Sequence, residues 1–172
     1  MDTLSLFNEF SLYTEWADSV VFAAIIGNLH AENDESLLIR LRHNHLVQKV
    51  FLDVWQDLPI DPTETQSLDM AALAGFTRDV HRNMRLFHET ISLTDLDRTV
   101  DLPWSRLVSQ KLGVETASPT MAQTLVQVFA HSSYHRGQVN ARLRDLGIEP
   151  PMTDFIVWVL GHKPTPAWTE MV

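Results

Sequence analysis

His131 and His135, four residues apart, are the pair of side chains in this sequence best spaced to do chemistry. On a helix of about 3.6 residues per turn they stack on one face, where both imidazoles can reach a single metal ion. Helical H-x-x-x-H pairs hold zinc in this way. The same face carries Val128, Ser132, Val139 and Leu143, so it should point into the protein. There, two imidazoles without partners would lose hydration and repel each other once protonated, which favours a metal over two satisfied core histidines. The residues between the pair are Ser132, Ser133 and Tyr134, so the in-line glutamate of an H-E-x-x-H peptidase is missing.

Two helix-borne imidazoles need at least one more ligand. The segment carrying His43 and His45 supplies the candidates, and its apolar pattern separates them. Ile39, His43, Val47, Val50 and Val54 form one stripe, apolar but for the histidine, whereas His45 falls with Arg42, Gln48, Lys49 and Leu52. His43 is therefore expected to face the core and His45 its flank. His81 and His88 are seven residues apart on one helix face, too far for one ion, and read as surface or boundary residues. His30 falls in a loop and His162 in the tail.

Four long segments with a helical period must position these side chains. The first runs from about Leu4 to Gly27, closed by Gly27-Asn28. The second starts after Asn33-Asp34, both good N-caps, and reaches about Gln56, ahead of Pro59 and Pro62. The third spans about Leu68 to Glu89. The fourth is expected to start at Ser118-Pro119, an N-cap with proline at N1, and to end at Leu146 before Gly147 and Pro150-Pro151. Thr94 to Pro119 reads as irregular, with alternation in Arg98 to Leu102 allowing a short hairpin. A short last helix from Asp154 to Leu160 precedes a proline-rich tail. The simplest architecture is a single all-α domain over residues 1–172: an antiparallel four-helix bundle with a short extra C-terminal helix.

Composition narrows the function classes. A formal net charge of -9 disfavours nucleic acid as a partner. With no cysteine in the chain, disulfides, thiolate ligands and a cysteine nucleophile are excluded, so a metal must be held by nitrogen and oxygen. The longest apolar run, Val20 to Ile26, is too short for a membrane span, and the start of the chain lacks the features of a secretory signal. The expectation is a soluble, cytoplasmic protein without a membrane partner.

The run His131-Ser-Ser-Tyr-His135-Arg136-Gly137-Gln138 resembles the H-x-x-x-H-R-G-Q signature of the DinB family. Downstream, Leu143, Gly147, Pro150-Pro151 and Asp154 match that family's way of ending this helix in glycine, a proline pair and an aspartate. His43, about two turns ahead of Phe51-Leu52, resembles the family's second-helix histidine. Trp16-Ala17-Asp18 resembles a first-helix Trp-Ala-Asn, with aspartate here in place of asparagine. The resemblance implies an up-down-down-up four-helix bundle, a three-histidine metal site near one end and a homodimer. Relatives with known activity include S-transferases using bacillithiol or mycothiol, a glutathione-linked isomerase and a metal-dependent hydrolase.

Together these residues point to His43, His131 and His135 as ligands of one divalent transition metal. Zinc or nickel suits an all-nitrogen site best, iron or manganese less well. Asp18, Ser132 and Gln138 are candidates to fix the ring tautomers. Arg136 is read either as steering an anionic thiol or as a surface or dimer contact. Gly137 is expected to permit close helix approach, and Tyr134 to pack or donate a proton. The functional expectation is a metal-dependent enzyme acting on a small molecule, of thiol S-transferase or hydrolase type. The alternative is a non-catalytic metal-binding or stress-response protein whose ion is structural or recruits a ligand.

Overall fold

The fold is that of a computed structural model describing residues 2–168. Each long helix begins where a short polar side chain can take up an orphaned backbone N–H. Asp2 caps α1 (Thr3–Ile25) by accepting from the Ser5 N–H. Asp34 caps α3 (Glu35–Trp55) and Asp69 caps α4 (Met70–Thr90) in the same manner. Between α1 and α3, Gly27 turns the chain at φ 90°, a left-handed conformation that favours glycine. Next comes a one-turn helix α2 (Leu29–Glu32), so His30 is helical rather than in a loop.

The start of the helix carrying the histidine pair, α6 (Met121–Asp145), differs from the sequence expectation. Its cap is Thr120, not Ser118, and Pro119 lies outside the helix. The Thr120 hydroxyl accepts from the Gln123 N–H while the Gln123 carbonyl oxygen accepts from the Thr120 N–H, a reciprocal capping box. Residues ahead of it are engaged elsewhere: Val100 N–H donates to Pro119 O and Met121 N–H to Arg98 O, both at 2.8 Å. The alternating stretch from Arg98 thus forms no hairpin of its own. It makes one isolated antiparallel bridge, Thr99 to Thr120, at the entrance to α6. The rest of the stretch expected to be irregular contains a 3-10 helix (Leu93–Asp97) and α5 (Ser105–Leu112). After Gly147, again left-handed, the short α7 (Phe155–Leu160) completes the order.

The protein is all-helical, with no strand among the described residues. The long helices pack in a closed cycle, α1 on α4, α4 on α3, α3 on α6 and α6 on α1. Two apolar clusters fill the space between them. One gathers Phe51, Leu52, Trp55, Met84, Phe87, Leu125 and Val128; the other gathers Phe22, Ile25, Leu37, Leu41, Leu73, Val139 and Leu143. Between these two groups, every long helix contributes buried polar residues: Asp18 from α1, His45 and Gln48 from α3, His81 from α4, Ser132 and Arg136 from α6. No helix of the described residues is long and apolar enough to cross a membrane.

Candidate metal centre

The two histidines of α6 and the one of α3 meet at the level of that polar layer. One nitrogen from each of His43, His131 and His135 lies within 4.8 Å of the other two. The ring centroids are 5.1 Å apart for His43 and His131, 4.8 Å for His43 and His135, and 4.3 Å for the helical pair. Zinc binds imidazole nitrogen at about 2.1 Å, so nitrogens this close to one another can share one ion. The group suits a cation by chemistry as well as by spacing. Among the described residues, His131 Nε2 and His135 Nδ1 are buried without a hydrogen-bond partner. Burial, then the neighbouring His135 and His43, pushes His131 down to about 4. Burial also lowers His135, aided by His43 and Arg40 and opposed by Gln138. Both rings therefore stay neutral at physiological pH, with lone pairs free to bind a metal.

His43 itself does not face the core, contrary to the expectation from the apolar pattern of its stripe, although Val47 and Val54 pack against the Phe51 cluster. His43 is exposed, and so is Ile39 at 56%. The buried face of α3 runs instead through Leu37, Leu41, Asn44, His45, Gln48 and Phe51. The stripe is apolar because it lines a cavity of about 570 Å3: Val47 and Val50 form part of its wall, and His131 another part. His43 reaches the pair from the exposed side of α3.

His45 and His81 are placed opposite to expectation, at 1% and 3% exposure. Both serve a network centred on Asp18. Its carboxylate accepts from Arg136 Nη1 at 2.9 Å, from Gln48 Nε2 at 2.8 Å and from His81 Nε2 at 3.0 Å. Gln48 Nε2 also donates to Ser132 Oγ, and Gln48 Oε1 accepts from His45 Nδ1. Burial works against a charge on Asp18, but the Arg136 guanidinium and the His81 hydrogen bond outweigh it and hold the carboxyl well below the usual range. Burial pushes His45 down to about 4 in spite of Asp18 and Gln48. Asp18 and Ser132 thus bond to one another's partners rather than to the ligand rings.

Arg136 is neither a surface residue nor aimed at the metal ligands. It is 3% exposed, pairs with Asp18 and donates from Nη2 to the Tyr13 hydroxyl and Ser133 Oγ. Gly137 permits no close helix approach, since a Cβ there would meet nothing within 4 Å. Tyr134 is 64% exposed with its ring 5.2 Å from that of His135, so it does not pack in the core.

The network accounts for the site's alignment. Ser132 and Arg136 each come one residue after a histidine of the group on α6, and His45 and Gln48 follow His43 on α3 by two and five residues, within about one and a half turns. Clamping these inner side chains to Asp18 fixes the rotation of α3 and α6, and so turns the three histidines toward one another. Two further neighbours had a legible signal. Gln123 and Gln127 precede His131 by eight and four residues, on the same stripe of α6, and both line the cavity.

A family model described as the DinB family matches residues 29–160. The chain belongs to the DinB family. The match runs from α2 to the end of α7 and includes all three histidines; Trp16-Ala17-Asp18 lies ahead of it. No curated protein matches the chain. In this DinB-family protein, a three-histidine group that could hold a metal ion thus stands beside an apolar cavity.

Proposed function

We propose that the protein is a metal-dependent enzyme acting on a small molecule, with His43, His131 and His135 as ligands of one divalent transition metal, zinc or nickel. The observation that carries this reading is the convergence of three imidazoles, one of which, His131, lines a cavity of roughly 570 Å3. Three protein nitrogens leave coordination positions open, the pattern of catalytic rather than closed structural sites. When bound, the ion would supply Lewis acidity to a water or thiol that reaches it, which suits hydrolysis or thiol S-transfer. Burial disfavours the charged forms of His131 and His135, and the Asp18 network holds α3 and α6, which carry the three histidines, in place.

A single domain built as an up-down-down-up bundle is part of the proposal. It is supported by the sequence in which the helices meet the two apolar clusters: α1 and α6 pass from the Phe51 cluster to the Phe22 cluster, α3 and α4 the other way. A homodimer is proposed from family resemblance, and the acidic charge disfavours nucleic acid as a partner. The alternative, an ion that only staples the fold, draws less support because none of the three histidines belongs to either apolar cluster.

Metal analysis of protein purified without a histidine tag should return about one ion per chain, with turnover then sought in a thiol-transfer and ester-hydrolysis screen. Protein that binds no divalent transition metal under any loading condition would refute the proposal.

A further inference from the structure

The cavity beside His131 has a chemistry of its own. Val47 and Val50 face it from α3, and Leu102 and Trp104 close it from the segment between the 3-10 helix and α5. Trp104 stands edge-on to Phe51 with ring centroids 5.3 Å apart, giving one rigid aromatic wall. Along α6, Gln123, Gln127 and His131 form a polar stripe leading to the three histidines. Among the described residues, none that lines the cavity is aspartate, glutamate, lysine or arginine. An ionised group placed among these walls would lose its hydration and find no countercharge.

The volume of about 570 Å3 falls within the range of small-molecule sites. Apart from Phe51, its apolar side chains are not the sealed interior of the helix packing. Val47, Val50, Leu102 and Trp104 are only half-buried, whereas Leu52, Leu125 and Val128 close behind them are sealed. Such a surface gains from an apolar occupant that displaces its water. Gln123 already caps α6 through its side chain, which leaves the Gln127 amide to orient a guest.

We propose that this chamber seats the body of the substrate, an uncharged molecule with an aromatic or branched-alkyl body and one thiol or hydroxyl group directed at His43, His131 and His135. The inference rests on the proposed metal site for the reacting end and on the cavity alone for the body. An anionic thiol is not the molecule the chamber itself receives.

The test uses cobalt-loaded full-length protein, in which thiolate ligation is read from the visible spectrum, and three thiols: phenethyl mercaptan, mercaptoethanol and mercaptopropionate. Phenethyl mercaptan should bind at least about tenfold more tightly than mercaptoethanol, the gain from burying its ring. Mercaptopropionate should show no gain. The advantage should vanish in Val50→Glu and separately in Leu102→Glu, both of which should retain cobalt. Equal affinities for all three thiols, or an advantage unchanged in both variants, would overturn the chamber. If cobalt does not bind at all, the metal reading fails and the chamber is judged by neutral N-phenylnaphthylamine. Its fluorescence should rise on the wild-type protein and not on either variant; a rise that persists in both, or none with wild type, overturns it.

Discussion

Replacing Asp18 with alanine tests whether the buried network aligns the metal centre. The carboxylate is 2% exposed and accepts from three donors, one of them the guanidinium of Arg136, itself 3% exposed. Truncation leaves that cation in the interior without its countercharge. Breaking a buried pair in this way costs about 3–5 kcal/mol, a large fraction of the roughly 5–15 kcal/mol that holds a domain folded. For a chain of this size that lowers the melting temperature by about 6–20 °C. The second arm is Asp18→Ala with Arg136→Met, in which no unpaired charge remains. The double variant should be destabilised by much less than the sum of the single variants, with a coupling energy of about 2–3 kcal/mol. Urea and thermal unfolding read by circular dichroism measure both. Metal affinity should fall in Asp18→Ala although Asp18 bonds to no ligand ring, because the rotation of α3 and α6 is no longer pinned. A loss below about 1 kcal/mol, or strict additivity in the cycle, would refute the argument.

Three other outcomes are expected. His135→Ala should lose most of its bound metal while keeping its helical circular dichroism, because stability comes mainly from apolar burial and His135 belongs to neither apolar cluster; unchanged metal content would remove His135 from the ligand set. His88, pushed down to about 4 by burial, stays neutral in the folded state while the unfolded chain takes up a proton near pH 6.5. Its contribution is therefore fully present above about pH 6.5 and lost as pH falls toward about 4, by up to about 3 kcal/mol. His88→Leu should flatten the acid limb of a stability-versus-pH curve, and an unaltered limb would contradict the assignment. Thr120→Ala removes one half of the capping box and should cost about 1 kcal/mol in urea unfolding, whereas Ser118→Ala should cost almost nothing.

The four long helices are legible in the sequence, because a 3.6-residue apolar period and polar caps such as Asp34 are local properties of the chain. So are His131 and His135, since spacing on one helix needs no tertiary information, while His43 is chosen by its apolar stripe and again by resemblance. What an apolar stripe faces is not a local property. The stripe through His43, Val47 and Val50 has the pattern of a core face, yet it borders a cavity, because the walls opposite it come from residues such as Leu102, Trp104 and Gln127 far along the chain. The same limit applies to Arg136, His45 and His81. Each is polar and reads as a surface residue until Asp18, on a different helix, supplies the partner that makes burial tolerable. The entrance to α6 was decided at long range as well, by backbone hydrogen bonds from residues 98 and 100 that keep Pro119 out of the helix. Periodicity fixes which residues share a face; only the packing of all four helices decided which faces meet, which become a cavity, and that three histidines from two of them converge.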